Sequence, residues 1–182
     1  NEVQLLEKFA KKCFEDNKTT LSQEDITSIA RELRSSLEGI QFHLKSPILR
    51  TENQHEKKIT SCYFGHSNFK DFFTASWLAS EIRTGGLQFI TFIERYKKKT
   101  ASYHSLILPF TTGLLAQARG TQEERQGWLM TFFKNLSSTL TPTDSLKNLS
   151  IMIRCLEELK AAKIEINTFD NIGFYKKNEI VK

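Results

Sequence analysis

The groups able to do chemistry in this 182-residue chain are four histidines, three cysteines and twenty-one carboxylates. No GxxxxGK[ST] phosphate loop, GxGxxG, HExxH or GxSxG segment occurs among them. The carboxylates alternate with Lys and Arg as solvated helix faces do, and no pair stands apart for acid–base work. His43, His55 and His104 lack a partner at metal-ligand spacing and read as surface or half-buried rings. Cys13, Cys62 and Cys155 are odd in number, widely spaced and without a CxxC pair. That argues against a disulfide framework or a zinc site and for a reducing compartment. No catalytic constellation emerges.

His66 differs by position. It stands in Tyr63-Phe64-Gly65-His66-Ser67, between a run of β-formers and the start of an aromatic helix capped by Ser67. Amides at a helix start are unpaired and the local field is positive, a setting suited to phosphate. Two readings stay open at this point. The imidazole either donates to a bound phosphate, or hydrogen-bonds the backbone and fixes the junction.

The elements that must hold this residue follow from periodicity. Leu5, Leu6, Phe9 and Cys13 predict an amphipathic helix over 3–16, and Asp16 to Thr19 has turn chemistry. Ser22-Gln-Glu-Asp25 is a near capping box, opening a helix with Ile26, Ile29, Ala30, Leu33 and Leu37 that Gly39 would stop. Ile40 to Leu44 and Ile59 to Phe64 read as two strands, with a polar loop over 51–58. The helix over 67–83 shows Phe69, Phe72, Phe73, Trp77, Leu78 and Ile82, apolar on more than one face and therefore buried from two sides. Both Phe72 and Phe73 are expected in the core. After Gly85-Gly86 the helical period continues. One helix carries Leu87, Ile90, Phe92 and Ile93, and another spans 106–118 with a bend at Pro109. A third carries Trp128 to Leu136, and Ser137 to Pro142 is a polar connector. Leu146, Leu149, Ile153, Leu156 and Leu159 line a fourth, before a strand-like tail from Ile164 to Phe169.

The fold class is thus mainly α, a small winged-helix module over 1–84 followed by an all-helical module over 85–160. Residues 161–182 read as a link toward a missing C-terminal region. Charged residues are 26% and apolar ones 39%, a globular balance. The formal charge, 26 minus 21 or +5, is modest and its basic residues are scattered, so a nucleic-acid partner is not expected. No apolar stretch is long enough for a membrane span. With no initial Met and no signal peptide, the chain is expected to begin inside a larger protein.

Tyr63-Phe-Gly-His66-Ser-Asn-Phe69-Lys-Asp71-Phe72-Phe73-Thr-Ala75-Ser-Trp-Leu78 resembles the F-x-H-x-(S/T)-(F/V)-Q-E-F-(F/L)-A-A-x-x-L segment of NACHT-containing NOD-like receptors. Leu5-Leu-Glu-Lys-Phe9-Ala10 with Leu21 and Glu24-Asp25 is similar to the start of that family's winged-helix domain. Leu108-Pro-Phe110-Thr-Thr-Gly113-Leu114-Leu115 resembles its R-F-L-F-G-L-L helix. Met152-Ile-Arg-Cys155-Leu156-Glu157-Glu158 resembles the L-x-H-C-L-x-E helix before its leucine-rich repeats, and Asn171-Ile172-Gly173 the segment that follows. The four main matches fall in order along the chain. Lys70-Asp71 stands in place of Gln-Glu, Gly65 and Asn68 are atypical, and residues 88–105 align with no motif.

The resemblance implies a non-catalytic part of a cytosolic innate-immune receptor, a winged-helix domain followed by the second helical domain. In that family a NACHT core, absent from this chain, holds ADP or ATP, and the winged-helix domain closes on it through the motif histidine, here His66. Closure keeps the receptor autoinhibited, and exchange to ATP releases the lid for homo-oligomerisation. The implied partners are that core, leucine-rich repeats and further copies of the parent, with no metal held by this chain. A nucleic-acid-binding winged helix is one rival, but Arg31 and Arg34 share the second helix with Glu24, Asp25, Glu32 and Glu38. A helical interaction scaffold is the other, although no repeat-length self-similarity appears.

Overall fold

Leu5, Leu6, Phe9, Ala10 and Cys13 recur at helical spacing and lie buried along one face of α1 (Glu2–Asp16), the first element of a computed structural model that describes residues 2–35, 40, 44, 46–52, 60–98, 106–139 and 145–164. The chain is mainly α and divides into two compact units, residues 1–77 and 78–182.

In the first unit α1 is followed by β1 (Thr20–Ser22), α2 (Gln23–Glu32), β2 (Leu49–Glu52) and β3 (Ser61–Phe64). Ser22 caps α2 as its sequence predicts: its Oγ accepts the Asp25 N–H at 3.3 Å while Asp25 Oδ2 accepts the Ser22 N–H at 3.0 Å. Lys18 Nζ reaches the same carboxylate oxygen at 3.2 Å.

The ribbon has three strands rather than the two expected, in the order β1-β3-β2 and antiparallel throughout. Leu21 faces Cys62 and Leu49 faces Phe64, so alternate residues of all three strands reach one core. β1 escapes sequence reading because three residues show no alternation. Thr51 and Glu52, read as loop, belong to β2, and residues 53–58 of that stretch lie outside the described residues. Ile40 and Leu44, read as strand, are instead helix and turn, and the Leu44 N–H bonds the Ile40 carbonyl at 2.9 Å. Both are buried, and a five-residue apolar pattern satisfies either period. Gly39 and Gln41 to His43 lie outside the described residues, as do His55 and His104.

The division between units falls inside α3 (Ser67–Arg83), ahead of Gly85-Gly86. From Phe73 to Ala79 every residue but Ser76 is buried, in line with the expected burial on more than one face. The first turns depart from expectation, since Phe69 is 43% and Phe72 38% exposed. Phe69 and Phe72 are one turn apart on one side of the helix, while Phe73 turns inward and stacks on Phe64 at 6.2 Å.

The second unit contains α4 (Gln88–Lys98), α5 (Ile107–Ala116), α6 (Gln122–Thr139) and α7 (Ser145–Ala161). α5 packs against α6 and α7, and α4 against α6, so the helices neighbour one another in the order α4, α6, α5, α7. The inner helix α5 is buried on nearly all sides, and its Thr111 and Thr112 satisfy their hydroxyls on the Ile107 and Leu108 carbonyls at 2.7 and 3.0 Å. Pro109 causes no break in the ladder, because it lies in the first turn, where amides have no intrahelical acceptor. Ser137 to Thr139, read as connector, continue α6, and residues 140–142 lie outside the described residues. On α4 the buried residues are Phe89, Phe92 and Ile93, with Leu87 and Ile90 exposed. On α7 the buried stripe is Met152, Cys155 and Leu159, while Leu149 and Ile153, read as core, are exposed. The expected strand beyond Ile164 lies outside the described residues; the Ile164 N–H itself closes α7 on the Leu159 carbonyl at 3.1 Å.

Four helices stop in the same way. After α1, α2, α3 and α7, residues Asn17, Arg34, Gly85 and Lys163 have φ of 55°, 52°, 71° and 56°. The next amide in each case (Lys18, Ser35, Gly86, Ile164) bonds a carbonyl five residues back. These are Schellman motifs, and only one uses glycine.

Candidate functional site

The candidate site is the turn from β3 into α3. Burial alternates along β3, with Cys62 and Phe64 inward and Ser61 and Tyr63 half-buried, and this fixes the direction in which the strand ends. The Gly65 N–H bonds the Ile48 carbonyl at 2.9 Å, and the Phe64–Phe73 stack holds the strand end to the helix. His66 and Ser67 are therefore placed by a buried pair behind them.

His66 is exposed and caps α3. Its Nδ1 accepts the Asn68 N–H at 3.1 Å, its carbonyl accepts the Phe69 N–H at 3.1 Å, and its ring meets Phe69 edge-on with centroids 6.4 Å apart. The residue thus does what the second of the two open readings describes. It also has a chemical consequence for the first. A neutral imidazole whose Nδ1 accepts a hydrogen bond carries its proton on Nε2, so the remaining ring nitrogen is a donor. Capping and donating to an anion use opposite edges of one ring.

The surroundings add charge that the sequence alone did not assign to this place. Arg50 pairs with Tyr63 across the sheet, and a Cβ built on Gly65 would lie 3.5 Å from Arg50 Cγ and Nε. The Arg50 stem therefore runs beside the junction. On the β1 side, Ser67 and Lys70 of α3 border a groove of about 300 Å³ with Thr19, Thr20, Tyr63 and Glu52. The signal for Arg50 was available only through strand register, which needs the partner strand.

Other titratable groups serve structure. Burial pushes the Cys13 thiol up to about 11 and those of Cys62 and Cys155 to about 12, so none is a thiolate nucleophile at neutral pH. Burial also raises the Glu7 carboxyl from its ordinary value, partly offset by the Ser76 hydroxyl at 2.6 Å. Burial acts the same way on Asp25, but hydrogen bonds from Ser22 and Lys18 outweigh it and hold that carboxyl below its ordinary value. Among the described residues no group of three His, Cys, Asp or Glu side chains is placed to hold a metal ion, and no helix is long and apolar enough to cross a membrane. Comparison of the chain with protein-family models, with curated proteins and with solved structures finds no match.

Proposed function

We propose that this chain is a non-catalytic regulatory part of a cytosolic nucleotide-controlled receptor of the NACHT-containing NOD-like type. Its helix-and-sheet unit acts as a winged-helix lid that closes on ADP or ATP held by a NACHT core of the parent, and its helical unit corresponds to the second helical domain. The observation that carries the reading is the His66–Asn68 hydrogen bond, which leaves Nε2–H as a fixed donor on an exposed ring at a helix start. The order of helices and strands around the β1-β3-β2 sheet supports it too. The junction fits one phosphate-oxygen contact, with the Arg50 stem alongside; base, ribose and the remaining phosphates are left to the core. A switch of this kind needs a ligand that prefers one of two packings, and a single donor present only in the closed packing supplies such a preference.

The test uses the full-length parent. His66→Asn keeps a side chain able to cap α3 and removes the ring donor. Faster ADP release and raised basal oligomerisation in that variant are expected. Unchanged ADP retention would end the assignment.

A second reading, a helical module that docks partner proteins, is favoured by the exposed Leu149 and Ile153 on α7. Leu149→Glu with Ile153→Glu separates the two: partner capture is lost under this reading, whereas under the first only His66→Asn changes ADP retention.

A further inference from the structure

The second unit holds a concavity unrelated to the His66 junction. The C-terminal ends of α5 and α7 and the first turns of α6 border an open concavity of about 400 Å³, a volume within the range of small-molecule sites. Among the described residues its polar lining is Gln117, Gln122, Arg125, Gln126 and Lys163, with no carboxylate among them. The two acids of the same turn of α6 are held elsewhere. Glu124 Oε2 accepts the Thr121 N–H at 2.7 Å, and Glu123 is hydrogen-bonded by the Thr121 side chain.

Cations at helix C-termini ordinarily serve the last carbonyls. Here several of those carbonyls already have backbone partners. The Gln117 N–H bonds the Gly113 carbonyl at 3.0 Å, the Lys163 N–H bonds Lys160 at 3.0 Å, and the Ile164 N–H bonds Leu159 at 3.1 Å. Arg125 gives Nη1 to the Gly120 carbonyl at 3.2 Å, which steadies the guanidinium and leaves its other donors for a ligand. Neither Arg125 nor Lys163 forms a salt bridge among the described residues.

We infer that this concavity binds a small phosphorylated polyol. Arg125 and Lys163 take the phosphate, for which a guanidinium fork and an ammonium are matched donors. Gln117, Gln122 and Gln126 take the hydroxyls. A carboxamide donates and accepts at once, as a hydroxyl does, and a set of three suits a ring or chain of hydroxyls better than a bare anion. The inference does not depend on the nucleotide-lid reading, since no residue of the junction takes part.

Calorimetric titration of the 182-residue chain with ribose 5-phosphate, glucose 6-phosphate and myo-inositol 1-phosphate tests it, with inorganic phosphate and glucose as partial ligands. At least one phosphorylated polyol binds about tenfold tighter than either partial ligand, and Arg125→Gln and Lys163→Gln each weaken it about tenfold. Amide side-chain NMR signals of Gln117, Gln122 and Gln126 in the unaltered chain shift on titration, a readout that stands even where a variant folds poorly. No binding by any of the three, equal binding by inorganic phosphate, or glutamine signals that stay in place would each overturn the inference.

Discussion

The Nδ1 atom of His66 accepts the backbone N–H of Asn68 at 3.1 Å, so one ring both caps α3 and has its tautomer set by the cap. His66→Ala should lower stability by about 1 kcal/mol, the usual cost of losing a side-chain cap. His66→Asn should recover most of it. Urea midpoints of the two variants check this, and equal losses would mean that the ring does not act as a cap.

Phe72 and Phe73 are neighbours with different roles. Phe73 is 7% exposed and stacked on Phe64, so Phe73→Ala should cost about 3–5 kcal/mol. Phe72 is 38% exposed, and Phe72→Ala should cost less than half as much. Comparable denaturation midpoints for the two would contradict the burial assigned to them.

Two glycines should answer alanine differently. Gly65 has no positive φ, and its added Cβ would meet Arg50 and Ile48 at 3.5 Å, ordinary contact. Gly65→Ala should be nearly neutral. Gly85 has φ of +71° at the end of α3, where Gly85→Ala should lose about 1 kcal/mol to backbone strain. Thermal melts of both variants decide the matter.

Acid should weaken the first unit through Asp25. Its folded pKa lies below the unfolded value, so its contribution is complete above the ordinary aspartate range and disappears as pH falls through the folded value. Glu7 has the opposite sign: its pKa is raised by burial, and its destabilising ionisation is relieved as pH falls toward the unfolded value. Asp25→Asn should flatten the loss of stability below about pH 4, as read from urea midpoints between pH 7 and 2.5. A loss as steep as that of the unaltered chain would assign the effect to other groups.

The thiols of Cys13, Cys62 and Cys155 are buried and protonated at neutral pH. Native protein should therefore alkylate with iodoacetamide orders of magnitude more slowly than protein in urea. Rapid labelling of any of the three under native conditions would show an opening of the core around it.

What the sequence made legible was local. The Ser22–Asp25 box needs partners only three residues apart, and the α1 stripe from Leu5 to Cys13 repeats long enough to reveal its period. β1 was too short to alternate. The exposed sides of Phe69, Phe72, Leu149 and Ile153 stayed hidden because apolar text names the candidates for a core without saying which sector meets a neighbour. At the junction the position of His66 was legible, but its tautomer and the approach of Arg50 depend on hydrogen bonds and strand register that only the folded chain defines.

The reversals at Asn17, Arg34, Gly85 and Lys163 seal four helix ends with main-chain donors. Termini sealed from within do not unravel when the residues beyond them change. The lengths of α1, α2, α3 and α7 are thus set by bonds the main chain makes with itself rather than by what comes after them.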